Sequence, residues 1–245
     1  MNANLQRQSN RFAGQKSKGK GLVSAEILVP AGLILLSLVP SVGGSVRLFQ
    51  LATDSGATPE TARFFAQPFP VVAHIVSVIL YSLLGALQFA PRFRRRHLQL
   101  HRRIGRILIP AGFVTAVSGL WMSHFYPWPA YDGVALYIMR LLVGGGMIIA
   151  LLLATDTIRR RKFRQHGAWM IRAYALAMGA GTQVFTHIPI AVFQQELTLT
   201  NRAIAMGAGW LINILVAEWV IATRLRPTRR NRRGRSANKP VLKRN

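Results

Sequence analysis

The six histidines are the residues of this chain with the widest chemical range, and cysteine is absent altogether. Without cysteine there is no disulfide, thiolate metal site or thiol nucleophile. No glycine-rich phosphate loop, nucleophile elbow or His-Glu-x-x-His motif occurs, which leaves hydrolase and nucleotide-driven chemistry without residues to carry it. Neutral imidazole, in contrast, is a good axial ligand for haem iron, and helix bundles build such sites from facing helices. His74 with His187 and His101 with His166 form the most economical pairs, one for each of two b-type haems, and no other metal is expected. His97 and His124 are further candidates; His97 precedes His101 by four residues and shares its face in any helix that holds both. The alternative for His97, His101 and His166 is plainer. Each sits among arginines, where an imidazole simply meets solvent or lipid headgroups.

Arg140 and Arg172 are charged candidates inside otherwise apolar segments, where an ionisable group is expensive and marks a site until a cheaper role is found. Arg140 can neutralise a buried carboxylate, a haem propionate or a substrate anion, or it can snorkel to Asp132 or a lipid phosphate. Asp156 and Arg160 have the spacing of an i,i+4 helix pair, and Glu218 is expected to pair with an arginine near the cytoplasmic face.

Such residues need elements that hold them at defined depths. Six apolar runs of spanning length supply them, at about 24–49, 70–90, 104–124, 134–158, 168–192 and 203–223. A helix rises about 1.5 Å per residue, so His74 lies about 6 Å below one face and His187, about 28 Å from the other, reaches the same layer. His124 and Arg140 join that layer, while His97, His101 and His166 form a second one near the opposite face. The expected fold is an all-α membrane bundle of six transmembrane helices.

The charges give the bundle a direction. The chain carries 32 basic residues against 7 acidic ones, and six crossings put all of the basic residues but Arg47, Arg63, Arg140 and Arg202 on one side. Positive charge stays cytoplasmic, which implies a multi-pass protein of the bacterial inner membrane with both termini in the cytoplasm. Three segments result: a disordered basic tail over 1–23, a transmembrane domain over 24–224 and a second disordered basic tail over 225–245. Basic loops and tails of this kind meet anionic lipid headgroups. Nucleic acid is a poor match, because no aromatic residues interleave the C-terminal charge. Glycine and alanine in the last three runs, Gly144 to Gly146, Gly179, Gly181, Gly207 and Gly209 among them, are read as helix-packing positions.

Two stretches carry a family resemblance. LLGALQFAPRFRRRHLQLHRRIGR followed by GFVTAVSGLWM, and RQHGAWMIRAYALAMGAGTQVFT, resemble a bacterial family of predicted membrane proteins (domain of unknown function family two-three-zero-six). The most specific parts are His101-Arg102 with Gly105-Arg106, and His166 with Trp169 to Arg172, Tyr174 and Ala175. The resemblance covers about 70–195 and implies a four-helix core with one helix added at each end; it implies no activity. The functional expectation is an inner-membrane protein of unassigned biochemistry, for which the histidines offer one role, electron transfer across the membrane on b-type haem. The alternative is a non-redox membrane protein, either a small-molecule permease or a structural subunit, although no internal repeat of the transporter kind is visible.

Overall fold

The computed structural model describes residues 3–225, with side chains from Glu26 onward. Among these residues the chain forms α1 (Ala3–Ala52), α2 (Ala62–Ala66), α3 (Pro68–Gln88), α4 (Pro91–Arg96), α5 (Leu98–Phe125), α6 (Val134–Arg159), α7 (Phe163–Ala177), α8 (Gly179–Thr186), α9 (Ile188–Val192) and α10 (Leu199–Arg224), and no strand. Five helices are long and apolar enough to cross a membrane: the Glu26–Ala52 part of α1, α3, α5, α6 and α10. The expected fifth span is instead a pair, α7 followed by Gly179–Val192, bent by 46°. The chain is thus an all-α membrane bundle of five spanning helices and one bent helix pair. Helix α1 begins at Ala3, inside the stretch expected as a tail, which has no proline to stop it. The expected C-terminal tail lies outside the described residues from 226 onward.

Local chemistry sets several boundaries. Pro68 and Pro91 open α3 and α4, where a missing N–H costs nothing. Thr198 and Asn201 close a capping box on α10: the Thr198 side chain accepts from Asn201 N at 3.2 Å, and Asn201 Oδ1 accepts from Thr198 N at 2.8 Å.

The break after Ala177 has a packing cause. A Cβ at Gly179 would run into the Trp210 indole, and one at Gly181 would run into the main-chain oxygen of Leu36. Glycine lets α8 press against α1 and α10 at once, and glycine pairs are a common site of sharp kinks. Polar bonds then stitch α8 to α10: Thr182 Oγ1 donates to Asn213 Oδ1 at 2.8 Å, Gln183 Nε2 to Met206 O at 3.1 Å and Thr186 Oγ1 to Ala205 O at 2.7 Å.

The helices close into a ring, α1 on α3, α3 on α5, α5 on α6, α6 on α7, then α7 and α8 on α10 and α8 back on α1. The tightest core lies between α3, α5, α6 and α7, where Tyr81, Leu108, Leu151, Ala173 and Tyr174 are buried. Tyr174 donates its hydroxyl to Ser82 O at 2.6 Å, and Gly85 leaves room for its ring. Outward, Leu142, Ile204, Leu211 and Trp219 are exposed, as a surface facing lipid requires. Residues 92–106 and 159–164, the two connections with the helix ends beside them, hold most of the described arginines; the opposite end holds few.

Candidate functional site

The ring encloses a cavity of about 470 Å³ that extends to the arginine-poor end of the bundle. Sites for small organic ligands are typically about 300–1,000 Å³ and largely apolar, with a few convergent polar groups. Its walls come from α1, α3, α5, α6, the broken span and α10, and Met178, at the break itself, is one of its lining residues.

His74 is the imidazole on this cavity. Its Nδ1 lies 3.0 Å from Thr115 O and 3.1 Å from Ser118 Oγ. Helix α5 presents that pair because Thr115 and Ser118 stand three apart on the face towards α3, and Thr115 Oγ1 also donates to Ser77 Oγ at 2.9 Å. A carbonyl acceptor fixes the proton on Nδ1, which leaves Nε2 with its lone pair. A Cβ at Gly119 would sit 3.2 Å from His74 Cε1, so glycine there keeps the ring's edge clear.

The cavity's rim is ionic. Asp132, whose side chain is only 2 % exposed, takes Arg202 Nε on Oδ1 at 2.7 Å and meets Arg140 Nη1 on Oδ2 at 2.6 Å. The Arg140 contact lies outside hydrogen-bond alignment, so charge alone holds that oxygen. Arg140 thus finds Asp132, one of the partners open to it by snorkelling. Arg63, also on the rim, donates Nη1 to Pro127 O at 3.3 Å and stands 4.7 Å from the Phe64 ring centre. Burial above all pulls its guanidinium below the ordinary range, and the charges of Asp132, Arg140 and Arg47 all reach it. Arg47 lies 5.1 Å from the same Phe64 ring, with Nη1 buried and unpartnered.

The remaining candidates lie elsewhere. His187 Nδ1 is 2.7 Å from Gln183 O and its Nε2 is buried without a partner, but it does not line the cavity of His74. Helix α8, which ends beside it, packs on α1 and α10, whereas α3 packs on α1, α5 and α7. At the other end, His101 and His166 are electrostatic neighbours. His166 Nδ1 is 2.9 Å from Ala154 O, and His101 Nδ1 is buried and unpartnered. Neither lines the cavity. His97 is exposed at the start of α5, 5.8 Å from the Phe93 ring, so the helix break parts it from the face of His101. His124 is exposed, its Nδ1 2.9 Å from Tyr137 Oη. Arg172 grips Glu218 with Nε at 2.6 Å and Nη2 at 2.9 Å while lying 4.6 Å over the Trp169 ring. Among the described residues, no group of three metal-ligating His, Asp or Glu side chains occurs.

Sequence reasoning missed the Thr115–Ser118 cradle and the role of Asp132 as the centre of a charge cluster. The signal for the first was available: hydroxyl residues three apart in an apolar span, at the depth of His74.

A helical membrane bundle with an internal cavity is the class these features define. The match of residues 71–221 to the family described as "Predicted membrane protein (DUF2306)" makes the chain a member of that family. No curated protein and no solved structure matches it. The family region runs on to residue 221, so α10 belongs to the family core and is not an addition; of the crossings, only that of α1 lies outside.

Proposed function

We propose that this is a ligand-binding protein of the bacterial inner membrane whose cavity holds one b-type haem on His74. The carrying observation is the imidazole's geometry: Nδ1 is engaged by Thr115 O at 3.0 Å, which leaves the lone pair on Nε2 of a residue that lines the cavity. Metal-ligating histidines almost always engage their second nitrogen this way, often with a main-chain carbonyl. Met122, Met147 and Met178 line the same space and offer thioether sulfur, a known second axial donor. A haem held there would supply a one-electron couple. The proposal is confined to this end, because His101 and His166 do not line the cavity. Absorption spectra of the purified protein, oxidised and then reduced with dithionite, test it. Haem bands that disappear in His74→Ala are expected; no bands under ample haem supply, or bands retained in that variant, would overturn it.

A permease is the second reading, favoured by one observation. The fifth crossing is broken at Met178, and the break lines the cavity. Transporters form their sites from discontinuous helices of this kind. The arginine-rich end is read as cytoplasmic, against anionic headgroups, since retained positive charge sets orientation.

A further inference from the structure

We infer that the cavity's rim is a carboxylate site, in which Arg63 receives the acid group of an amphipathic ligand whose apolar body lies in the cavity, and Arg47, on the same Phe64 ring, adds its charge. The inference rests on the cavity being a ligand site, and it names the chemistry that the site selects. Charge arithmetic carries it. Four arginines gather at the arginine-poor end, and the buried carboxylate of Asp132 is shared by two of them, Arg140 and Arg202. Arg47 and Arg63 have no acidic partner within ion-pair distance among the described residues, although Asp54 and Glu60 occupy the same connection as Arg63. Arg47 goes further: its Nη1 is buried with no hydrogen bond at all. A buried cationic donor left unmade is costly, and an incoming carboxylate relieves that cost. Guanidinium presents a planar fork that matches carboxylate, and the apolar surroundings strengthen the attraction. Phe64 fixes the pair, with the two guanidinium carbons at 5.1 and 4.7 Å from its ring centre; that ring and Arg63 line the cavity, whereas Arg47 does not. The rim is therefore cationic and the interior apolar. That is the inverse pattern of a fatty acid or of a porphyrin bearing propionates.

The test uses the full chain in nanodiscs of neutral phosphatidylcholine, with tryptophan quenching as the readout, since Trp128 and Trp210 line the cavity. Two acid–ester pairs are titrated: doxyl-stearic acid against its methyl ester, and haem against its dimethyl ester. At least one acid should bind about tenfold or more tightly than its ester, the scale of one lost charge-assisted hydrogen bond. The preference should vanish in the double variant Arg47→Gln with Arg63→Gln and survive in the double lysine variant, which keeps the charge. Equal binding of acid and ester, a preference that survives the glutamine variant, or no saturable quenching by any probe overturns the inference. The arms also separate it from the haem reading. Preference for the fatty acid with no haem bands would leave the carboxylate site and remove the haem; haem bands with equal binding of acid and ester in both pairs would do the reverse.

Discussion

Asp132 and Arg202, 70 residues apart in the chain, meet at 2.7 Å and join the turn before α6 to the first helical turn of α10. Arg140 comes to the other carboxylate oxygen at 2.6 Å, so one buried acid holds two helices. Removing one partner from a buried pair leaves an uncompensated charge, at a cost of about 3–5 kcal/mol. Asp132→Asn is therefore expected to lower the unfolding temperature of the purified protein by several degrees. Adding Arg202→Gln should restore part of the loss. An unchanged melting curve for Asp132→Asn would mean that the cluster contributes nothing to stability.

Arg172 and Glu218 make a contrasting case. Their bonds of 2.6 and 2.9 Å are as short as those of Asp132, yet their side chains are 31 % and 46 % exposed. Where that exposed face meets water, such a pair contributes about 0–1 kcal/mol. Arg172→Gln should shift the melting temperature far less than Asp132→Asn does. A loss as large as that of Asp132→Asn would show that this pair, too, is sealed from water.

Five spanning helices and their approximate ends were legible because hydrocarbon demands about 20 apolar residues per helix, a demand on composition alone. Asp132 was among the partners that the sequence left open to Arg140, since a long side chain near a membrane face reaches for a nearby anion. The break after Ala177 was not legible. Gly179 and Gly181 look like ordinary packing positions until Trp210 and Leu36 are seen against them, and those contacts join residues from three different crossings. The pairing of His74 with His187 failed to become a shared site for the same reason. Depth along a helix follows from residue number, but the wall of the ring on which a side chain lies depends on which helices pack together.

The orientation has its own test. Alkaline phosphatase fused after Arg96, in the connection between α3 and α5, should be inactive, and a fusion after Pro129, in the connection between α5 and α6, should be active. The basic residues crowd the first connection and are absent from residues 126–133. Cytoplasmic retention of positive charge is the ground for the expected direction. The reverse pattern of activity would invert the bundle and place the rim of Arg63 and Arg140 on the cytoplasmic side.

The glycines at the break separate steric need from mere helix propensity. A Cβ at Gly181 would strike the main chain of Leu36, which cannot swing aside as a side chain tip can. Overpacking of this kind costs about 1–3 kcal/mol or more, because backbone must move. Gly145 lies in α6 with nothing within 4 Å of where its Cβ would stand. Gly145→Ala should therefore be neutral or slightly stabilising, since alanine is the better helix former by about 1 kcal/mol. Gly181→Ala should lower the melting temperature and, by pushing α8 off α1, widen the cavity on the side of Met178. Ligand affinity measured by tryptophan quenching should fall with it. If Gly181→Ala and Gly145→Ala behave alike, the close approach of α8 to α1 is not what bends the fifth crossing, and the kink must come from the loss of helix propensity at the glycines themselves.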